Sequence, residues 1–200
     1  EVRDAMLWSV ANSFTLSANF HTGALLVNYP YDDDGGVSGV PAPTPDEALF
    51  RDISLRYSTQ NLPMYTNPND PQSPRDGITN GAAWYVVDGG MQDWNYRYAG
   101  DNEVTIELSE VKKPSTLQLA TLWENNRESM LAYMEAVHMG VRGVVTDGRN
   151  PVYAEVTVVG NTHPVFTDPD VGDYHRMLLP GTYSLHFVAP GYLPKAISNV

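Results

Sequence analysis

The sequence predicts an α/β domain followed by a small all-β domain, and two patterns carry this prediction. As far as about residue 138, short apolar runs alternate with amphipathic, helix-like stretches, as in α/β domains. Beyond Gly140, short strand-like runs are separated by Gly, Pro, Asn and Asp, and no helical pattern fits. That texture is typical of a small β-sandwich. We therefore predict domains at 1–139 and 140–200.

The chain begins with a helix-like segment, EVRDAMLWSV, in which Val2, Met6 and Val10 fall on one stripe. This segment has neither a basic start nor an apolar centre, so it is not a secretory signal peptide. Because the sequence starts inside a helical pattern, we expect the chain to be part of a longer protein.

The first elements of the α/β domain are two predicted strands and a helix. Residues 14–21 and 24–28 are short apolar runs, which favour buried strands. A helix is predicted over 44–59, because Thr44 and Glu47 have the spacing of a capping box.

The remaining elements of this domain follow a long loop. Residues 60–80 are rich in proline, asparagine and aspartate, and loops of this length are often functional. The runs 83–87 and 103–108 are predicted strands, and a long amphipathic helix is predicted over 115–138 and stopped by Gly140. Its predicted apolar stripe contains Leu119, Leu122, Trp123, Met130, Met134 and Val137.

Charge and composition exclude several classes of protein. The chain has 12 Lys and Arg against 24 Asp and Glu, a net charge of −12, which argues against nucleic-acid binding. No apolar run reaches the roughly 18–20 residues that a membrane span needs. Cysteine is absent from the sequence, so no disulfide supports the fold.

Three segments of the first domain carry a family resemblance: LSANFHTGALLVNYPYD, GITNGAAWYVVDGGMQDWNY and VTIELSEVKKP. They resemble the zinc metallocarboxypeptidases, specifically the carboxypeptidase N/E/D/M branch. The segments VRGVVTDGRNPVYAEVTVVG and GDYHRMLLPGTYSLHFVAPGY are similar to the transthyretin-like domain that follows the catalytic domain in this branch. The sequence departs from the family at Thr22, where a second glycine is common, and at Ala83, where aspartate is common. The resemblance implies part of a mixed sheet flanked by helices.

The resemblance also implies roles for five residues. His21 matches the third zinc ligand of the family. Asp32 matches the acidic residue that selects a C-terminal Lys or Arg, and Gln92 lies in the same pocket. Tyr85 matches the mobile tyrosine that reaches toward the substrate's C-terminal end. Glu107 matches the catalytic glutamate, and the separations of 7 residues from Tyr85 to Gln92 and 22 from Tyr85 to Glu107 agree with this alignment.

The family's mechanism implies the chemistry of these groups. Zinc lowers the pKa of a bound water toward ~7 and polarises the scissile carbonyl. The carboxylate of Glu107 would take the proton of that water and deliver it to the leaving amine, which contributes roughly 10²–10⁴ in rate. A partly desolvated Asp32 would bind a guanidinium or ammonium group with about 1.5–3 kcal/mol.

Without the resemblance, the residues leave other interpretations open. A lone histidine such as His21 is more often structural than a ligand. Asp32 begins an Asp-Asp-Asp-Gly-Gly stretch, which could be a solvated turn. Trp84 and Tyr85 would share a strand, so one of them would face the core. Glu107 interrupts an apolar strand, so it is either a solvent-facing edge residue or a buried functional group.

Two of the three protein ligands that a catalytic zinc requires are missing from the sequence. The family takes them from a His-x-x-Glu motif upstream of the third ligand, and no histidine here has Glu three residues later. We therefore expect the other Zn²⁺ ligands upstream of residue 1 and expect this chain alone to be inactive. An Asn126-Arg127 pair is expected to be a solvated helix face, not the substrate-binding pair of the family.

The sequence thus supports a parent protein that is a zinc carboxypeptidase removing C-terminal Lys or Arg from peptides or proteins. The alternative is a non-catalytic relative that binds a peptide or protein through the same pocket. Family habit implies a secreted, periplasmic or cell-surface protein. We expect no nucleic-acid partner for this chain, and no segment of it that spans a membrane.

Overall fold

The computed structural model describes residues 1–71 and 76–200. Their contacts divide into two compact units. The α/β unit contains residues 16–96 and 102–137, and the β unit contains residues 1–15, 97–101 and 138–200. Residues 72–75, which belong to the predicted loop 60–80, lie outside the described residues.

The α/β unit is built on a four-stranded mixed sheet in the order β1-β4-β2-β3. Its strands are β1 (Leu16–His21), β2 (Ala24–Tyr29), β3 (Ile78–Asn80) and β4 (Asn102–Ser109). Strand β4 runs parallel to β1 and antiparallel to β2, and β2 runs parallel to β3. The predicted strands 14–21, 24–28 and 103–108 are confirmed, and the mixed α/β class with them.

Helices pack against the strands of this sheet. They are α2 (Glu47–Ser58), α3 (Leu62–Tyr65), α4 (Gly81–Trp84), α5 (Met91–Trp94) and α6 (Leu119–Glu135). A π-helical turn follows α5 at Asn95–Ala99, and 3-10 turns at Thr116–Gln118 and Ala136–His138 flank α6. Helix α2 packs on β2 and on α6, and it buries Phe50, Ile53 and Tyr57 completely. These side chains form the core beneath the sheet.

The predicted strand at 83–87 is wrong. The strand in this region is β3, and the chain turns directly into the short helix α4. Asn80 caps this helix, because its side-chain oxygen accepts the backbone N–H of Ala83 at 3.3 Å. Trp84 is therefore the last residue of a helical turn, and the expectation that Trp84 and Tyr85 share a strand fails with it.

The predicted helix over 115–138 is confirmed, but its predicted apolar stripe is not the buried face. Leu119 and Trp123 are exposed, with relative accessibilities of 52% and 57%. The residues that α6 and its final turn bury lie three or four positions apart: Asn126, Ser129, Tyr133 and Ala136. The packed face is thus largely polar.

Asn126 also corrects the expectation of a solvated Asn-Arg pair. Its side-chain oxygen accepts the Tyr57 hydroxyl at 2.8 Å and the Asn61 amide at 3.0 Å, and all three groups are buried. Arg127 is exposed, as expected, and pairs with glutamates on its own helix.

The β unit contains α1 (Val2–Asn12) and six short strands. The strands are β5 (Val141–Val144), β6 (Glu155–Val158), β7 (Val165–Phe166), β8 (Asp173–Arg176), β9 (Leu185–Val188) and β10 (Lys195–Ile197). Sheet β10-β9-β6-β7 and the pair β5-β8 contribute to one core, centred on Val156, Leu185 and Phe187. Residues 141–200, all described by the structure, contain no helix, as the sequence predicted.

In the described part of the chain, none of the helices has the length and apolar character that crossing a membrane requires.

Candidate active site

The site begins with one face of two neighbouring strands. Because β1 and β4 are parallel with His21 opposite Glu107, and because side chains alternate along a strand, every second residue shares this face. Six polar side chains lie there: Ser17, Asn19 and His21 on β1, and Glu103, Thr105 and Glu107 on β4. The β1–β4 side of the sheet therefore carries a polar face, and it includes His21 and Glu107, two residues to which the resemblance assigned roles.

His21 and Glu107 contact each other at one end of this face. Nδ1 of His21 lies 3.1 Å from Oε1 and 3.2 Å from Oε2 of Glu107. The His21 side chain is 56% exposed and that of Glu107 only 7%. Burial raises the pKa of the Glu107 carboxyl, while His21 and then Lys112 pull it down. A buried carboxylate beside an accessible imidazole can accept and return a proton.

Asp32 follows the end of β2, after a cis peptide bond between Pro30 and Tyr31. It is 5% exposed, so the interpretation as a solvated turn is wrong. Nδ2 of Asn28 donates to its Oδ1 at 2.9 Å. Burial raises the pKa of Asp32 to about 7, the Asn28 hydrogen bond opposes this change, and the negative charge of Asp93 adds to it.

Two glycines lie directly against the Asp32 carboxylate. A Cβ atom on Gly81 would lie 2.9 Å from Cγ and 2.8 Å from the main-chain Cα of Asp32. A Cβ on Gly90 would lie 2.9 Å from Oδ2. Neither glycine has a positive φ, so the need for glycine is steric: any side chain would occupy the space of the carboxylate.

Gln92 and Tyr85 complete the group that the sequence predicted. Gln92 is 1% exposed, and its Oε1 accepts the Thr105 hydroxyl at 2.8 Å. Its Nε2 is buried without a partner in the structure. Tyr85 follows α4 and is 48% exposed. Burial raises the pKa of the Tyr85 hydroxyl, and the charges of Glu107 and Asp32 raise it further, so both carboxylates act on this one side chain.

Sequence reasoning missed three residues of the site. Asn28 holds Asp32, and Asp93 accepts the backbone N–H groups of Asp32 and Asp33. Glu103 is 2% exposed and accepts hydrogen bonds from three polar side chains: Ser17 at 3.1 Å, Asn19 at 2.7 Å, and Asn95. A signal for Glu103 was present, since it has strand spacing from Glu107 on the same face.

The α/β unit thus carries a polar sheet face, a histidine–glutamate pair and a buried acidic pocket. Comparison with known families is more specific. Residues 1–129 match the family model described as zinc carboxypeptidase, and the chain belongs to this family. The family resemblance of its motifs is thereby confirmed.

Individual relatives agree with this assignment. The chain is 47% identical over 197 residues to Carboxypeptidase D of Homo sapiens, covering 94% of this chain and 14% of that protein. It is 43% identical over 210 residues to Carboxypeptidase D of Anas platyrhynchos, covering all of this chain and 15% of that protein. It is 41% identical over 206 residues to the Carboxypeptidase N catalytic chain of Homo sapiens, covering 99% of this chain and 45% of that protein. The chain thus spans less than half of each.

The residues present fit zinc in part. His21 offers an accessible imidazole nitrogen next to a carboxylate, and neutral imidazole is a common zinc ligand. Among residues 1–71 and 76–200, no group of three His, Cys, Asp or Glu is arranged to hold a metal ion. The described residues therefore do not complete a zinc site around His21.

Proposed function

We propose that the full-length protein is a zinc-dependent carboxypeptidase that removes C-terminal Lys or Arg from peptides or proteins. The observation that carries the specificity is the Asp32 pocket. Its carboxylate is buried, and the charged side chain that acts on it in the described part of the chain is a second carboxylate, Asp93. A buried charge without a counter-charge is costly. A bound ammonium or guanidinium group would supply the missing positive charge.

The other residues take part around this pocket. Zinc, when bound, supplies Lewis-acid activation of the scissile carbonyl and of a water. His21 contributes one nitrogen to the metal. Glu107 holds and moves the proton through its carboxylate, which lies next to His21. Tyr85 is exposed and within electrostatic range of both carboxylates, so its hydroxyl can reach the substrate between them.

Residues 1–200 alone are inactive on this proposal. The sequence provides one zinc ligand, and no histidine is followed three residues later by glutamate, whereas a catalytic zinc needs three protein ligands. The β unit is a transthyretin-like domain, supported by its two sheets around one core. The protein acts in a secreted, periplasmic or cell-surface compartment, which the family resemblance supports.

The test compares two peptides that differ only in a C-terminal Arg or Phe. The full-length protein with zinc should prefer the Arg peptide, and Asp32→Ala should lower the ratio of kcat/KM for the Arg and Phe peptides by roughly 10- to 100-fold. Asp34→Ala is the matched control, because Asp34 is an exposed carboxylate in the same loop. A preference for Phe, or an Arg preference that survives Asp32→Ala, would contradict the proposed specificity. Binding of the Arg peptide without hydrolysis would favour the non-catalytic alternative.

A further inference from the structure

Asp93 is a buried carboxylate with an unusual target. It lies in α5, one residue after Gln92, and is 8% exposed. Its Oδ1 and Oδ2 accept the backbone N–H of Asp32 at 2.9 and 3.0 Å, and its Oδ2 also accepts the N–H of Asp33 at 3.0 Å. Hydrogen bonds to an ionised acceptor are about twice as strong as neutral ones. One side chain thus fixes the main chain at two consecutive residues.

The Asp32 side chain is held from its other sides. Asn28 donates to Oδ1, and the absence of a Cβ on Gly81 and Gly90 leaves just enough space for the carboxylate. A shift of the Asp32 main chain would move its carboxylate toward Gly81 or lengthen the Asn28 hydrogen bond. The direction in which Asp32 points therefore depends on the anchor provided by Asp93.

We propose that Asp93 is a positioning residue for substrate selection. It fixes the main chain at Asp32, and this main chain sets the direction in which the Asp32 carboxylate points toward the cationic side chain of the substrate. This inference rests on the proposed function, because it takes Asp32 as the group that selects the substrate. Asp93 itself does not touch the substrate in this arrangement, since its carboxylate oxygens are occupied by the backbone of residues 32 and 33.

Asp93→Asn tests this role with almost no change in volume. The asparagine has one acceptor oxygen and one NH₂ group. Because both oxygens of Asp93 accept the backbone N–H of Asp32, the NH₂ would face that donor in either orientation of the amide. We expect kcat/KM for the Arg peptide to fall roughly 10- to 100-fold in the full-length protein, mainly through KM. The Phe peptide should change much less. Asp88→Asn is the matched control, because Asp88 is exposed and lies in the segment that leads to α5.

A double-mutant cycle distinguishes a positioning role from a general loss of structure. If Asp93 acts through Asp32, adding Asp93→Asn to Asp32→Ala should have little further effect on the Arg peptide. Equal losses on the Arg and Phe peptides, or additive effects in the cycle, would overturn the proposal.

Backbone hydrogen exchange gives a second readout that does not depend on substrate preference. The amides of residues 32 and 33 should be protected in the wild type and should exchange at least tenfold faster in Asp93→Asn, while those of β2 remain unchanged. Unchanged protection at residues 32 and 33 would refute the anchoring itself. A wild type without Arg preference would overturn the proposed function before any Asp93 variant is made, and the exchange rates would then decide the anchoring by themselves.

Discussion

Asp32→Asn should make the protein more stable at alkaline pH, although it removes the proposed specificity residue. Burial raises the pKa of Asp32 to about 7, compared with about 3.9 in an unfolded chain. Since one pKa unit corresponds to ~1.4 kcal/mol, ionising Asp32 costs the folded state about 4 kcal/mol relative to the unfolded state. Asparagine has nearly the same shape, can still accept the Asn28 hydrogen bond, and never ionises.

The sign of the pH dependence follows from proton binding. The folded state binds the Asp32 proton more tightly than the unfolded state, so this group's stabilising contribution is complete below about pH 4. It is lost as the pH rises through about 7. The free energy of unfolding of Asp32→Asn minus that of the wild type should therefore rise by about 4 kcal/mol between pH 4 and pH 8.

Urea denaturation of the full-length protein at a series of pH values measures this difference. Asp34→Asn is the control: it is an isosteric change of an exposed carboxylate in the same loop, and its difference from the wild type should stay nearly flat. If the Asp32→Asn difference is also flat, or falls with rising pH, the fold does not disfavour the charged form of Asp32, so the carboxylate is solvated or lies beside a counter-charge. That outcome would remove the basis for cation selectivity.

Three further predictions concern other contacts of the α/β unit. Gly90→Ala should reduce the Arg preference of the full-length protein severalfold, because its Cβ would lie 2.9 Å from the buried carboxylate of Asp32. Gly36→Ala is the control and should have no effect, because its Cβ would lie 2.9 Å from the exposed carboxylate of Asp34, which can move. Glu107→Gln should lower kcat by roughly 10²–10⁴ with little change in KM, and a normal kcat would exclude the proton-transfer role. Asn126→Ala should lower the free energy of unfolding, measured by urea titration, by about 1–3 kcal/mol, because it leaves the buried donors of Tyr57 and Asn61 without an acceptor. The control Arg127→Ala, at an exposed position, should change it by less than about 0.5 kcal/mol.

The sequence predicted the central strands because their apolar runs are short and bounded by turn residues. It failed at 83–87, where the run AWYVV has the composition of a strand. The structure instead begins a helical turn at Gly81, capped by Asn80. Asparagine before a turn of small residues is an N-cap signal, so local chemistry, and not apolar content, decides this segment.

The buried face of α6 could not be predicted from periodicity. A helical stripe of large apolar residues normally marks the core face, yet Trp123 is exposed and Asn126 is buried. The partners that satisfy Asn126 are Tyr57 and Asn61, more than 60 residues earlier in the chain. A buried amide is stable only when such partners are in place, and nothing local to the helix indicates that they are.

The functional interpretation of Asp32 and Glu107 gains support that is independent of the family. Burial raises the pKa of both carboxyls, which means that the fold disfavours the charged form of each. Both charges in turn raise the pKa of Tyr85, an exposed side chain. Carboxylates that serve only the fold are normally paired or solvated. Glu107 has His21 beside it, whereas the charge that acts on buried Asp32 among the described residues is that of another carboxylate, Asp93. Two carboxylates whose charged form is disfavoured, both acting on one accessible tyrosine, favour the proposed binding role, and the three residues come from separate segments of the chain.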